Sequence, residues 1–158
     1  MTAIRSRRQD VERIIRVDHA GEYGAVRIYQ GQRAVLGQRA ACGDLLRQME
    51  EQERKHLDVF NKLVSARRVR PTLLQPLWHV VGFALGAGTA LLGEKAAMAC
   101  TVAVEEVIDQ HYARQTERLG EDESVLKETV IAFRADEIAH RDAALAQGAE
   151  DAPGYAPA

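Results

Sequence analysis

The sequence has 158 residues, enough for one domain with a sizeable core. Its 21 basic and 23 acidic residues leave a formal net charge of −2, so there is no global attraction to nucleic acid and no nucleic-acid partner is expected. Cys42 and Cys100 are the only cysteines and stand far apart, which argues against a disulfide framework and a zinc site and fits a reducing compartment. The N-terminus is charged but lacks the apolar stretch of a secretory signal.

Ala, Leu, Arg, Glu and Gln dominate and aromatic or β-branched alternation is scarce, so an all-α fold is expected. A first helix is predicted over about residues 10–39, with Val11, Ile14, Ile15, Asp18, Glu22, Val26, Tyr29 and Leu36 on its inner stripe. A second follows over about residues 44–67, a fourth over about 94–119 and a fifth over about 123–147. Between them, residues 71–93 contain no Asp, Glu, Lys or Arg. That run is long enough to suggest a membrane span, but Gln75, Pro76, His79 and its glycines argue against a simple one. It reads as an element in the bilayer interface, with Trp78 at headgroup level and Arg67, Arg68 and Arg70 on its flank. The competing reading is a buried crossover helix.

Glu53-Arg-Lys-His56 and Glu137-Ile-Ala-His140 share one pattern, a carboxylate and an imidazole one helical turn apart on one face. Glu22 precedes Glu53 by 31 positions and Glu105 precedes Glu137 by 32. Tyr29 and Tyr112 each fall seven residues after the first Glu of their frame. If paired ligands share one height on an antiparallel hairpin, the chain must reverse near residues 37–38 and near 121. Those places read Gly37-Gln-Arg-Ala-Ala-Cys-Gly43 and Gly120-Glu-Asp-Glu-Ser124, both turn-like. On the last helix Leu126, Val130, Phe133, Glu137, His140 and Ala144 trace one stripe, which puts the charged pair inside an apolar face. Buried carboxylates in that number need compensation by cations.

Four Glu and two His on four helices are the ligands of a dinuclear iron or manganese site in a ferritin-like four-helix bundle with a long apolar crossover. Glu106 competes with Glu105, but spacing and the tyrosine repeat favour Glu105. Asp136 is placed to orient His140 or His56 as a hydrogen-bond acceptor, or to form an ordinary salt bridge. Gly21 and Gly24 flank Glu22, where a helix or a ligand is expected to approach closely. The two tyrosines should lie about 10.5 Å along their helix axes from the ligand layer, as hydrogen-bonded core residues or as contacts to substrate or an electron path. His111 is read as facing partly inward, either for substrate or proton transfer or as a plain polar position, and His19 and His79 as structural or interfacial.

Val17-Asp-His-Ala-Gly-Glu-Tyr-Gly-Ala25, Arg68-Val-Arg-Pro-Thr72, the glycine-rich stretch Gly82–Gly93, Met98-Ala-Cys-Thr-Val-Ala-Val-Glu-Glu106 and Asp136-Glu-Ile-Ala-His140 together resemble the demethoxyubiquinone hydroxylase family of ubiquinone biosynthesis. The resemblance implies a membrane-associated di-iron monooxygenase in one domain, residues 1–158, with 71–93 as the membrane element. Its ligands match Glu22, Glu53, His56, Glu105, Glu137 and His140, and its catalytic His and Tyr near the substrate match His111 and Tyr112. The implied reaction uses two Fe ions and O2 to hydroxylate a polyprenylated methoxy-methyl-benzoquinol at its remaining unsubstituted ring carbon. The reductant would derive from NADH, without a Rossmann-type nucleotide site. Implied too are peripheral association with the cytoplasmic face of a bacterial inner membrane, or the matrix face of the mitochondrial one, and a lipid-binding accessory protein. Family members run on past the region matching residues 152–155 into a further helical, partly apolar segment, a departure from the family pattern in this sequence. The rival expectations are a ferritin- or rubrerythrin-like ferroxidase with the same ligands, and a membrane-binding helical module without catalysis.

Overall fold

The computed structural model describes residues 2–156, with side chains from residue 7 onward. Five helices account for it: α1 (Thr2–Leu36), α2 (Gly43–Ala66), α3 (Gln75–Leu91), α4 (Glu94–Arg118) and α5 (Ser124–Ala146). Short 3₁₀ turns, Glu121–Glu123 and Ala149–Asp151, precede and follow α5. α1 packs on α2 and α4 on α5 as two hairpins, and α3 is the crossover, lying mainly along α1. This is the expected all-α, ferritin-like bundle.

α1 departs from expectation at both ends. It begins near residue 2 rather than 10, because no breaker interrupts the Arg- and Gln-rich stretch before Asp10. It ends at Leu36 rather than 39, because Gly37 takes φ +66° and returns its N–H to the Arg33 carbonyl at 2.9 Å.

Two apolar clusters fill the interior. One gathers Tyr29, Leu46, Met49, Met98, Val102 and Ala144, and the other Ile14, Ile15, Phe60, Tyr112, Leu126 and Val130. On each of α1, α2, α4 and α5 the residues of these clusters lie on opposite sides of the Glu or Glu-x-x-His position. The ligand layer is therefore sandwiched between two dry plugs, which remove water from around it.

α3 sits backbone to backbone on α1. A Cβ at Gly86 would run into the Ile28 carbonyl, and one at Gly31 into the Phe83 carbonyl and, at 2.7 Å, the Ala87 nitrogen. Only Gly82, Gly86 and Ala90 of α3 are buried. Its other face leaves Leu77, Trp78, Val80, Val81 and Leu85 exposed, with Leu73, Leu91 and Leu92 at its ends. The helix is thus neither fully buried nor a span, and among the described residues no helix is long and apolar enough to cross a membrane.

Candidate metal centre

Glu22 on α1, Glu53 and His56 on α2, Glu105 on α4, and Glu137 and His140 on α5 converge between the two plugs, all buried. They form two overlapping groups, Glu22, Glu53, His56, Glu137 and Glu53, Glu105, Glu137, His140, with donor atoms inside each group within 4.8 Å of one another. The imidazoles show how the groups overlap. His56 Nδ1 lies 3.1 Å from Glu137 Oε1, 3.5 Å from Glu22 Oε2 and 3.8 Å from Glu53 Oε2. His140 Nδ1 lies 3.0 Å from Glu53 Oε1, 3.7 Å from Glu105 Oε1 and 3.7 Å from Glu137 Oε2. Glu53 and Glu137 thus face both histidines through different oxygens, as bridging carboxylates do, whereas Glu22 and Glu105 each face one.

The fit to cations rests on unpartnered atoms. Both oxygens of Glu53 and of Glu137, Oε2 of Glu22 and of Glu105, and Nδ1 of both histidines are buried without a hydrogen bond. Such a concentration of idle acceptors is costly unless positive charge sits among them. Four carboxylates neutralise two divalent cations, and an oxygen-rich set with two imidazoles and no thiolate suits iron or manganese.

Protonation reflects the same crowding. Burial, then repulsion from Glu53, drives the Glu22 carboxyl well above its ordinary range, and burial with Glu137 as neighbour does the same to Glu105. Burial opposes a charge on His140, but Glu105, Glu137 and Glu53 outweigh it and push the imidazole up to about 12, while His56 is raised in the same way. Glu137, despite burial, is held down to about 2 by Glu105 and the two histidines. Cations entering the layer would replace protons, so their binding must release them.

His56 Nε2 lies 3.0 Å from Asp136 Oδ2, so Asp136 serves His56, across the bundle, rather than His140 on its own helix. That contact directs Nδ1 toward the ligand layer. The His56 ring also stacks on Phe133, centroids 3.9 Å apart.

Both tyrosines are hydrogen-bonded core residues, one of the roles expected of them. They are not remote from the ligand layer: the Tyr29 hydroxyl donates to Glu105 Oε1 and the Tyr112 hydroxyl to Glu22 Oε1, each crossing to the opposite hairpin. A helical side chain leans toward its N-terminus, so a long phenol covers most of the axial distance back to the carboxylates. Burial, then the neighbouring carboxylate, raises both phenols well above their usual range, so both remain donors.

His111 is also corrected. It is exposed rather than inward-facing, and Arg114 Nη2 donates to its Nδ1 at 2.6 Å. It lines a largely apolar cavity of about 1000 Å³ between α1, α3, α4 and residues 152–156. Gly21, Gly24, Trp78, Leu85 and Val107 share this lining. A Cβ on Gly21 or Gly24 would meet nothing within 4 Å, so these glycines widen the space beside Glu22. Glu106 faces this cavity and belongs to neither donor group. His19 is structural, bonded through Nε2 to Asn61 at 2.8 Å, and His79 bonds the Tyr23 hydroxyl at 2.6 Å.

Sequence reasoning missed three polar partners of this layer. An offset of 83 residues relates Glu22 to Glu105 and Tyr29 to Tyr112, and the same offset relates Gln32 to Gln115 and Asp18 to Thr101. Gln32 Nε2 reaches Thr101 Oγ1 at 3.4 Å and the Ala97 carbonyl at 3.0 Å, and Gln115 Nε2 donates to Asp18 Oδ1 at 2.6 Å. The 83-residue offset, applied to every polar residue of α1, would have found both pairs.

A helical bundle enclosing two overlapping donor groups built from Glu-x-x-His turns has the architecture of the ferritin-like carboxylate proteins. Residues 9–158 match the family described as ubiquinone biosynthesis protein COQ7, and the chain belongs to that family. It is 63% identical over 145 residues to a 3-demethoxyubiquinol 3-hydroxylase of Rhodospirillum rubrum, covering 92% of this chain and 68% of that protein. It is 55% identical over 160 residues to the mouse protein named NADPH-dependent 3-demethoxyubiquinone 3-hydroxylase, mitochondrial, covering 99% of this chain and 73% of that one. A yeast mitochondrial 5-demethoxyubiquinone hydroxylase is 45% identical over 151 residues, covering 85% of this chain and 65% of that protein. The mouse name specifies NADPH, where the resemblance suggested NADH.

Proposed function

We propose that this protein is an O2-dependent monooxygenase that hydroxylates demethoxyubiquinol, a lipid-tailed methoxy-methyl-benzoquinol, at its remaining unsubstituted ring carbon. The observation that carries this reading is the apolar cavity of about 1000 Å³ running past Gly21 and Gly24 beside the ligand Glu22. An aromatic ring with a prenyl tail requires such a path, and an iron-storage protein does not. Glu22, Glu53, His56, Glu105, Glu137 and His140 would hold two iron ions. When bound, the pair supplies activation of O2 and delivery of one oxygen atom to the ring.

The chain's own residues do the rest. The two apolar plugs exclude water from the ligand layer. Tyr29 and Tyr112 hold one oxygen of Glu105 and of Glu22, leaving the other free for metal. His111 on the cavity wall is the polar group placed to meet the quinol head, and Tyr112 acts behind Glu22. The reductant is a reduced nicotinamide nucleotide.

Residues 1–158 form one domain in this reading, and residues 71–93 rest in the bilayer interface. The outward side chains of α3 are apolar, and Arg67, Arg68 and Arg70 stand just before it, suited to anionic headgroups. The protein would sit peripherally on the cytoplasmic face of a bacterial inner membrane, or the matrix face of the mitochondrial one, receiving substrate from the bilayer or a lipid-binding accessory protein.

Anaerobic loading with Fe(II), then labelled O2 and a short-tailed demethoxyquinol, tests the activity. The product should gain one labelled oxygen atom. Label entering from water, or O2 uptake yielding only mineralised Fe(III), would overturn it.

A further inference from the structure

We propose that Asp18 is held as a neutral carboxylic acid in a two-bond ring with the Gln115 carboxamide, and that this ring positions Tyr112 against Glu22. Asp18 is 4% exposed on the inner face of α1, and its Oδ1 accepts from Gln115 Nε2 at 2.6 Å. Two atoms of the same pair, Asp18 Oδ2 and Gln115 Oε1, are buried without a partner. With Asp18 ionised, both are acceptors and neither can satisfy the other. A single proton on Oδ2 satisfies both, because the acid then donates to Oε1 while accepting from Nε2. Acid and amide close a ring, and two buried orphans disappear together.

The surroundings agree. Among the described residues no Lys, Arg or His nitrogen comes within 4.0 Å of the Asp18 carboxyl. The titratable groups near it are Glu22 one turn along α1, Tyr112 one turn before Gln115 on α4, and His19, tied to Asn61 of α2. Glu22 and Tyr112 offer the Asp18 carboxyl no positive charge, and the Nε2 of His19 is turned to Asn61. Burial pushes the Asp18 carboxyl up to about 7, with Gln115 offsetting only part of the effect. The other half of the internal repeat makes the same point: where Asp18 stands opposite Gln115, Thr101 stands opposite Gln32, a hydroxyl that cannot ionise.

Gln115 follows Tyr112 by three residues and shares its face of α4. A ring joining Asp18 to Gln115 therefore locks α4 to α1 one turn from the Tyr112–Glu22 hydrogen bond. Asp18 acts through Tyr112 and is a positioning residue.

Infrared difference spectra of the iron-loaded full chain, carrying carboxyl-labelled aspartate at about pH 6, test the protonation state. The expected result is a protonated-acid carbonyl band that vanishes in Asp18→Asn and moves to higher frequency in Gln115→Leu, where the ring is lost. A wild-type spectrum with carboxylate bands alone, or an acid band surviving Asp18→Asn, overturns the proposal. Asparagine can rebuild the ring as an amide pair, so at about pH 4, where Asp18 keeps its proton in the folded state and is only beginning to lose it in the unfolded one, Asp18→Asn should keep the wild-type Tm while Asp18→Leu lowers it. Equal loss in both variants also overturns the ring. The C–O stretch of ring-labelled tyrosine reads the positioning. It should shift in Asp18→Leu and not in Asp18→Asn, and the same response in both variants removes Asp18 from any role toward Tyr112.

Discussion

Glu53 and Glu137 each face both imidazoles, whereas Glu22 and Glu105 face one apiece, and that difference ranks the proposed ligands. Glu137→Ala is expected to reduce tightly held iron from about two ions to below one per chain, because it removes an oxygen from both groups. Glu22→Ala should retain about one, and metal analysis after reconstitution distinguishes the two losses. Equal loss in both variants would contradict the bridging assignment. Asp18 makes a prediction in pH. Its carboxyl is raised to about 7 against an unfolded value near 4, so between those limits the native state holds a proton that the unfolded state has lost. Stability from this group is therefore greatest at low pH, falls as pH rises through that window by at most about 4 kcal/mol, and is flat beyond it. Urea unfolding of wild type and Asp18→Asn should show the wild-type deficit growing across that window. A difference independent of pH would refute it.

At the scale of the element, α3 presents two faces with separate jobs. Its glycine face admits no side chain, so Gly86→Val should lift it from α1 and cost about 1–3 kcal/mol or more, visible as a lower Tm by circular dichroism. Its outer face takes the opposite prediction. Leu77→Asn with Val80→Asn should change stability by about 0.5 kcal/mol or less while weakening binding to anionic vesicles several-fold. A fall in Tm with unchanged vesicle binding would mean that this face holds the protein together. The elements were largely legible in the sequence. The helices followed from composition and stripe, and the turns at Gly37–Gly43 and Gly120–Ser124 from the matched ligand heights. The six converging side chains followed from Glu-x-x-His and its repeat. Less was legible about how they meet. Spacing along a helix gives height and face but not which oxygen turns to which neighbour, so the double facing of Glu53 and Glu137 lay outside its reach. The tyrosines were legible as hydrogen-bonded core residues, but not their partners, because axial distance between Cα atoms ignores the backward lean of a long side chain.

For the whole molecule, the proposed site would couple metal binding to folding. Without cations the native state keeps protons on Glu22, Glu105, His56 and His140 that the unfolded chain sheds near pH 4 to 7, so its stability should decline as pH rises. Glu137 works the other way, but only toward its value of about 2. Metal binding instead strengthens with pH as ligands lose their protons. The gap in Tm between iron-loaded and chelator-treated protein should therefore widen between about pH 5 and pH 8, and a constant gap would contradict the shared layer. The 83-residue offset also bears on symmetry. Each hairpin brings one Glu, one Glu-x-x-His and a tyrosine that reaches into the other hairpin, so each is a half-site that needs its counterpart. Such a half is self-complementary about a two-fold axis, the relation between subunits in a symmetric dimer. The single chain thus builds, from its two hairpins, the kind of site a symmetric dimer builds from two copies, and Asp18 opposite Thr101 is one of the positions where the two halves differ.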